Sequence, residues 1–498
     1  MMQDKGNVIE ENVYLKYLLT PQLEEQAPRY FDIMLKINDA HALMLFKQEL
    51  ISRQEAKELL SVSQDIGNRG ISGIELSAER EDLYLNLEAH IIQRLGSDIG
   101  GKLHIGRSRN DLYAAIQRIK CREELLKVAE IVIDLRETLV GLVEKNIETV
   151  IPGYTHMQPA QPITFGHYLA AIGCALKRDF DRLIDSYHRT NLNPLGAGAM
   201  AGTGFPIDRT LTGEYLGFDG ILKNSLDAVA ARDYAADIAY AMTMLLSDIG
   251  RMNQDFYYWV TSEFSTLKLP DEFVASSSIM PQKRNPIILE HTICKVSHVL
   301  GTLVSIVTTM KGLPYTHTRA TGGEVFVLLW KAFQETETTI RWMCGLLEKI
   351  EIDRENAFIN TRKNFSTATE VADELVRKMG LSFRTAHSIV RRAVFELYSQ
   401  QKTSEDFTWD LLNRYSLEVL QKPLEGITEE DVRAALDPLE NIKRRSVMGG
   451  PAPKEVKEQM TELKKQLQQD CERIEQLKNK IKSAQSKMKE QIDRVVNQ

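Results

Sequence analysis

The stretch AADIAYAMTMLLSDIG, from Ala235 to Gly250, decides the fold that the sequence predicts. Its apolar residues recur at spacings of three and four, which predicts a helix, and they fall on more than one face of that helix. A helix that is apolar on several faces needs neighbours on several sides to cover it. The stretch therefore predicts a buried helix at the centre of a bundle.

Other long segments share this helical pattern and supply the neighbours. The five predicted long helices lie near residues 112–150, 164–190, 227–262, 287–311 and 323–350. At about 1.5 Å per residue the first would span roughly 55 Å, which is too long to cover a single small core. Five such helices predict an all-α protein with a central bundle of long helices.

Patterning along the chain predicts four parts. They are an N-terminal helical domain (1–106), a central helical-bundle domain (107–355), a small C-terminal helical domain (356–453) and a heptad-patterned helical tail (454–498). Ser52 and Glu55 have the spacing of a capping box, which predicts that a helix begins there. The tail's heptad pattern is interrupted at Asp470 and Cys471, so the tail either self-associates or packs back on the body.

Composition narrows the class of protein. Of the 498 residues, 43% are hydrophobic and 26% are charged, as in a soluble globular enzyme. The net charge of -7 arises from mixed charges, which leaves no basic surface for nucleic acid. Five scattered cysteines without a CxxC pair favour a reducing compartment and argue against structural zinc. We find no targeting segment and no run that approaches the ~18 apolar residues of a membrane span, and we expect a cytoplasmic protein.

A polar loop between two of the long helices carries the chemistry. It reads ASSSIMPQKRNP, from Ala275 to Pro286, and Ser, Pro and Asn favour loops over regular elements. The ammonium of Lys283, six residues after Ser277, can attract negative charge on that hydroxyl. A helix beginning near Pro286 would aim its positive end back at the loop. Ser277 could then lose its proton and act as a base, whereas the alternative is a merely solvated loop.

The stretch Ser277–Pro286 closely resembles the Ser-Ser-x-Met-Pro-x-Lys-x-Asn-Pro signature of the aspartase/fumarase superfamily, whose members eliminate fumarate from substituted succinates. With Gln282 it is most similar to the argininosuccinate lyase branch. Segments that resemble other family motifs are GRSRND at 106–111, GYTHMQPAQP at 153–162, PLGAGAMAGTGFPIDR at 194–209 and NSLDAVAARDY at 224–234. The resemblance runs from about residue 30 to 455. It implies a three-domain fold and a homotetramer whose core pools helices from four chains, with each active site shared between three chains.

The resemblance also implies roles for individual residues. Ser277 as its oxyanion would be the base, His156 a general acid or base, Lys283 a stabiliser of the substrate carboxylate, and Glu290 a partner of His156. The implied substrate-binding residues are Ser108, Arg109, Asn110, Thr155, Asn285, Arg232 and Ser278. No metal and no cofactor is implied. Whether His156 or another group protonates the leaving nitrogen stays open.

Several positions depart from the argininosuccinate lyase pattern. In the stretch after the loop, where that branch has Tyr, Gln and Lys for substrate recognition, this chain has His317, Gly322 and Val325. Each lost polar partner of a charged ligand costs about 1–3 kcal/mol. Ala231 replaces a commonly acidic residue, and Tyr84 stands where related lyases commonly have His. We expect the charged face that contains Tyr84 to be solvated and without a catalytic role.

These features predict a carbon–nitrogen lyase that reversibly eliminates fumarate from an N-substituted aspartate other than argininosuccinate. Resemblance to ethylenediamine-disuccinate lyases, which handle an aminocarboxylic acid, fits the departures. The first alternative is an argininosuccinate lyase that recognises its substrate through other residues. A second alternative, of another class, is a non-catalytic crystallin-like structural protein, which would have no reason to keep the whole catalytic set.

Overall fold

A computed structural model describes residues 12–497 and shows a chain built mainly of α-helices, which confirms the all-α prediction. The N-terminal part contains α1 (Thr20–Lys47), α2 (Arg53–Arg69), α3 (Leu83–Leu95) and α4 (Ser97–Gly100). The middle contains α5 (Arg109–Lys145), α6 (Phe165–Thr190), α7 (Arg209–Leu216), α8 (Ser225–Ala230), α9 (Asp233–Trp259), α10 (Ile287–Lys311) and α11 (Val325–Lys349). The remainder contains α12 (Arg354–Arg362), α13 (Ala368–Met379), α14 (Phe383–Ser399), α15 (Trp409–Leu420), α16 (Glu429–Leu436), α17 (Pro438–Arg444) and α18 (Pro453–Asn497).

Short elements join these helices. Strand β1 (Val150–Thr155) pairs antiparallel with β2 (Gln158–Thr164), and β3 (Leu192–Asn193) pairs parallel with β4 (Gly220–Ile221). Two further antiparallel pairs are β5 (Leu267–Lys268) with β8 (Glu351–Ile352), and β6 (Ala275–Ser276) with β7 (Arg284–Asn285). Single turns of π-helix occupy Leu15–Leu19 and Ala320–Glu324. Turns of 3-10 helix occupy Ile71–Gly73, Ala78–Arg80, Gly101–His104, Asp271–Phe273 and Ser404–Asp406.

Helix α9 lies at the centre of the bundle, as its sequence predicts. It packs against α6, α10 and α11, while α5 packs against α6 and α11. The buried residues of α9 are Tyr234, Ala235, Ile238, Ala239, Ala241, Met242, Thr243, Leu245, Leu246, Ile249, Met252, Asn253, Phe256 and Trp259. The helix begins later than the predicted residue 227, because the backbone leaves the helical region at Ala231 and separates α8 from α9.

Two of the apolar clusters account for most of the core. The larger extends from α1 to α12 and includes α18, and a smaller one is built from α13 to α16. The predicted capping box is present at the start of α2, where the Ser52 hydroxyl accepts the Glu55 N–H at 3.3 Å and Glu55 accepts the Ser52 N–H at 2.7 Å. The smaller cluster lies inside the segment 356–453, but the exact domain boundaries stay a prediction.

The tail packs on the body, which is one of the two alternatives that its heptad pattern left open. Helix α18 runs along α5, α6, α2 and α7. Asp470, where the heptad is interrupted, accepts a hydrogen bond from Arg136 of α5 at 2.7 Å and lies 3.4 Å from the Lys177 ammonium. Arg136 and Asp470 are almost completely buried. The apolar residues that α18 buries are Val456, Met460, Leu463, Leu467, Ile474, Met488, Ile492 and Val495.

Helix α10 differs from its neighbours because the chain leaves much of its apolar surface uncovered. Within residues 12–497 it is the one helix long and apolar enough to cross a membrane, so the expectation that no such run exists is wrong by this criterion. One such helix is weak evidence for a membrane span, since core helices of soluble proteins also meet the criterion. Its exposed apolar residues are Ile293, Leu300, Val304 and Val307.

We expect Asp470→Ala to loosen the tail, because the substitution leaves the Arg136 guanidinium buried without its partner. Breaking a buried ion pair in this way costs about 3–5 kcal/mol. The measurements are the midpoint of thermal unfolding and the rate of proteolytic cleavage within α18. Lys464→Ala is the matched control, because the Lys464–Glu144 pair joins the same helices at 3.0 Å but is exposed and is worth about 0–1 kcal/mol. Equal cleavage rates in the two variants would contradict the structural role of the buried pair.

Candidate active site

The segment Ala275–Pro286, here called the serine loop, is held at its base by the β6–β7 pair. Ala275 pairs with Asn285 and Ser276 pairs with Arg284, so the loop between them is closed into a hairpin. At its start, the Ser277 Oγ accepts N–H hydrogen bonds from Met280 at 3.0 Å and from Ile279 at 3.4 Å. Two amide donors at one hydroxyl oxygen favour negative charge on that oxygen.

Positive charge also lies beside the serine loop. Helix α10 begins at Ile287, directly after Pro286, as predicted, so its positive end adjoins the loop. The Lys283 side chain is exposed and forms no ion pair with any described residue. Lys283, Asn285 and Glu290 line a cleft of 1120 Å³. Ser278 is exposed on the same loop.

His156 and Met157 form the tight turn between β1 and β2, here called the histidine hairpin. Thr155 pairs with Gln158, so these two residues alone make the turn, with φ of 52° and 58°. Left-handed backbone costs roughly 1–3 kcal/mol at a non-glycine residue, and such strain often accompanies functional sites. The side chains of Thr155 and His156 are exposed, so the histidine hairpin presents them where they can face a cleft.

The residues Ser108, Arg109 and Asn110, here called the arginine turn, form the N-terminus of α5. The Ser108 hydroxyl caps the helix by accepting the Asn110 N–H at 3.3 Å. The Arg109 guanidinium donates to Glu81 at 2.8 Å and to Asp82 at 3.1 Å. These two carboxylates therefore hold the Arg109 guanidinium at the N-terminus of α5.

Asp111 is a positioning residue that the sequence analysis missed. It is fully buried, its Oδ1 accepts the Ser108 N–H at 2.9 Å, and its Oδ2 accepts the N–H groups of Gly196 at 2.9 Å and Gly198 at 3.0 Å. These bonds tie the glycine-rich loop after β3 to the arginine turn. Burial raises the pKa of Asp111 to about 6, against the effect of the amide donors. The Ser-x-x-Asp spacing of a capping box is the signal that could have found it.

Arg232 is buried with part of its guanidinium unpaired. Its Nη1 donates to the Ala231 carbonyl at 2.8 Å, while its Nε and Nη2 have no partner among the described residues. Burial lowers the pKa of the half-buried His317, and the nearby charge of Arg232 lowers it further. The His317 Nδ1 also lacks a partner within residues 12–497. Arg232 and His317 therefore place a cationic group near a neutral ring, both with free hydrogen-bonding capacity.

One chain does not bring these groups into contact. Among the described residues, no hydrogen bond or ion pair joins the serine loop, the histidine hairpin and the arginine turn. The expected pairing of Glu290 with His156 is likewise not formed between described residues, so it stays a prediction. The arginine turn lines a separate cavity of 380 Å³. Within residues 12–497, no cluster of three or more His, Cys, Asp or Glu side chains could hold a metal ion.

Comparison with known proteins places this arrangement in a family. Residues 22–301 match the family described as lyase, and residues 365–443 match the family described as argininosuccinate lyase C-terminal. The chain is 41% identical to argininosuccinate lyase 1 of Shouchella clausii, with 94% of each chain covered. It is 37% identical to argininosuccinate lyase of Methanocaldococcus jannaschii, with 96% of each chain covered.

The second of these matches also corrects an expectation about the tail, which the sequence analysis had set outside the family resemblance. With 96% of the chain covered, too few residues remain unmatched for all 45 residues of α18 to lie outside the match. The tail is therefore shared, at least in part, with that relative.

A solved structure agrees with the sequence matches. A variant of EDDS lyase with bound fumarate is 30% identical to this chain, with a TM-score of 0.87 and coverage of 97% of this chain and 95% of that chain. The long matches at 37% and 41% identity, the two family matches and this structure all agree. The chain therefore belongs to the aspartase/fumarase superfamily of lyases, in its argininosuccinate lyase-like branch.

Proposed function

We propose that this lyase releases fumarate from an N-substituted aspartate, with Ser277 as the catalytic base. The observation that carries this proposal is the pair of amide N–H groups, from Ile279 and Met280, that converge on the Ser277 Oγ. A serine hydroxyl is a weak base until its oxygen carries negative charge. The two amides, the Lys283 ammonium of the same loop and the N-terminus of α10 are the groups that would stabilise that charge.

In the proposed reaction, the Ser277 oxyanion takes a proton from the β-carbon of the substrate. The electron pair left on that carbon moves into the adjacent carboxylate and forms an aci-carboxylate dianion, which Lys283 and Asn285 would stabilise. The pair then returns to form the double bond of fumarate as the Cα–N bond breaks, and the bonding electrons of that bond leave with the amine. Addition of the amine to fumarate is the same sequence in reverse.

His156 is the proposed general acid or base, oriented by Glu290 when the site is assembled. A carboxylate next to an imidazole raises its basicity and fixes its orientation. Ser108, Arg109, Asn110, Thr155 and Ser278 would bind the two carboxylates of the aspartate. Each of these side chains lies at a helix end, at the end of β1 or in the serine loop, where it can face a ligand.

We propose that the complete site forms only in a homotetramer, from groups of three chains. Two observations support this. Among residues 12–497, no hydrogen bond or ion pair joins the serine loop, the histidine hairpin and the arginine turn, and α10 leaves apolar residues exposed. Apolar surface of this kind is typical of helices that pack against other copies. Membrane and nucleic-acid partners are not part of this proposal, and a cytoplasmic location stays an expectation.

The residues that would recognise the leaving amine differ from those of related lyases. The buried Arg232 has an incompletely paired guanidinium, Ala231 removes an acidic neighbour that related lyases commonly have, and His317 replaces a tyrosine. An unpaired buried cation favours an anionic ligand group. We therefore propose an amine that carries a carboxylate, as in an aminocarboxylic acid, and keep argininosuccinate as the second candidate because of the relatives at 37% and 41% identity.

We expect Ser277→Ala to lower kcat for fumarate release by about 10²-fold or more, because general-base catalysis contributes about 10²–10⁴-fold. Fumarate is followed by its ultraviolet absorbance during incubation with N-substituted aspartates. Ser276→Ala is the matched control, since Ser276 is the neighbouring hydroxyl in β6 and has no proposed role. Similar rates for the two variants would rule out Ser277 as the base.

We expect the protein to use an N-substituted aspartate with a carboxylate-bearing amine at a higher kcat/KM than argininosuccinate. The physical reason is the unpaired Arg232, which can pair with such a carboxylate. The comparison is made with ethylenediamine-disuccinate and argininosuccinate, and Arg232→Gln should remove most of the preference. Efficient cleavage of argininosuccinate, together with growth of an arginine auxotroph that carries this gene, would show that the second candidate is correct.

A further inference from the structure

Tyr84 is not on a solvated face, which corrects the expectation from the sequence. It is buried in α3, and its Oη lies 2.6 Å from Glu88 Oε1 and 2.5 Å from His104 Nδ1. Glu88 is one helical turn further along α3, whereas His104 comes from the 3-10 turn before α5. The Arg107 guanidinium lies 5.4 Å from the centre of the Tyr84 ring and covers it.

The number of available protons fixes the direction of these hydrogen bonds. An ionised carboxylate can only accept, so the single phenolic proton of Tyr84 goes to Glu88. The Tyr84 oxygen then accepts a hydrogen bond from the N–H group at His104 Nδ1. A neutral imidazole with its proton on Nδ1 has a lone pair on Nε2, and that Nε2 has no partner among the described residues.

His104 lines the same cavity as the arginine turn. The 380 Å³ cavity is lined by Tyr84, Leu85, Glu88, His104, Ser108, Arg109 and Asn110. The charged groups around the imidazole are Glu88 from α3, Arg107 from the preceding turn and Arg109 from α5. Partial burial lowers the pKa of His104, Arg107 and Arg109 lower it further, and Glu88 opposes them. The ring is therefore neutral at neutral pH and acts as an acceptor.

The wall formed by His104 and Glu88 suits a cation better than a carboxylate. A lone pair and a carboxylate repel an anion, whereas they attract the N–H groups of a positively charged nitrogen. The arginine turn, which lines the same cavity, has donors that suit carboxylates. An N-substituted aspartate has both kinds of group, with its cationic nitrogen attached to the carbon next to a carboxylate.

We propose that His104 Nε2 accepts a hydrogen bond from the cationic nitrogen of the bound N-substituted aspartate, and that Tyr84 and Glu88 are positioning residues that hold the ring for this contact. This inference rests on the proposed function. It gives His104 a role in distinguishing the amine substrate from fumarate, which has no nitrogen. It also assigns to Tyr84, which stands where related lyases commonly have His, the role of holding the His104 ring in position.

The test uses the full-length, assembled enzyme and an N-substituted aspartate that it cleaves. For His104→Phe we expect KM to rise about tenfold, the magnitude of one lost charge-assisted hydrogen bond, while the inhibition constant of fumarate changes less than about twofold. Tyr84→Phe keeps the packed ring and should raise KM by a smaller factor in the same direction. For Tyr84→His we expect a KM closer to the wild-type value than that of Tyr84→Phe, because the imidazole at position 84 can again hydrogen-bond to Glu88 and His104.

His90→Phe is the matched control, since His90 is also on α3 but does not line the cavity, and it should change neither constant. An unchanged KM in His104→Phe would overturn the inference. So would a fumarate inhibition constant that rises by the same factor as KM, because His104 would then support only the carboxylate half. Should His104→Phe fail to fold, an unchanged KM in Tyr84→Phe overturns it equally. If the wild-type enzyme forms no fumarate from any N-substituted aspartate, the proposed function itself fails, which separates the two results.

Discussion

Burial of helix α9 on several sides is the constraint on which the rest of the structure depends. Because α9 is apolar around much of its surface, α6, α10 and α11 must pack against it, and α5 completes the bundle through α6 and α11. The candidate functional groups then lie in the connections and at the helix ends, where the backbone has free donors. Ser277 precedes α10, the arginine turn begins α5, and His156 turns the chain between α5 and α6. These groups therefore lie at the ends of the bundle helices and in the segments that join them, and not within the packed middle of the bundle.

The parts of the fold that the sequence could predict are those with local signals. The helical periodicity of the long segments, the Ser52 capping box and the start of α10 after Pro286 all depend on residues a few positions apart. The docking of the tail depends on Asp470 meeting Arg136, which is 334 positions away, so the pattern narrowed the alternatives without deciding between them. The histidine hairpin was missed as a pair of strands because its turn contains neither Gly nor Asn, the usual residues at positive φ.

The residues of the candidate site likewise divide into those with a local sequence signal and those that depend on distant parts of the chain. Ser277, Lys283 and the arginine turn could be proposed from the sequence because they lie in contiguous motifs that resemble those of a family. Tyr84 was misjudged, since a polar helix face has the same sequence pattern whether solvent or a buried network covers it. The network became visible only when the turn before α5 brought His104 against α3. Asp111 was missed for a similar reason, because the amides that it binds belong to Gly196 and Gly198 in a distant loop.

The site therefore has two halves with different relations to the family. The half that would form fumarate keeps the residues of the family pattern and has the amide donors and positive charge that a serine base needs. The half that would face the amine differs at His317, Ala231 and Tyr84, and its free hydrogen-bonding groups are the incompletely paired Arg232 and the ring of His104. This division is the basis of our proposal that the protein uses a different amine with the same elimination chemistry.

The most direct test of the central claim is to mix two inactive variants, Ser277→Ala and His156→Asn, and to measure fumarate release after the mixture is dissociated and reassembled. If the base and the histidine of each site come from different copies, random reassembly leaves about a quarter of the sites with both residues intact, and about that share of wild-type activity returns. If both come from the same copy, every site keeps one defect. Activity that stays at the level of the separate variants would contradict the account.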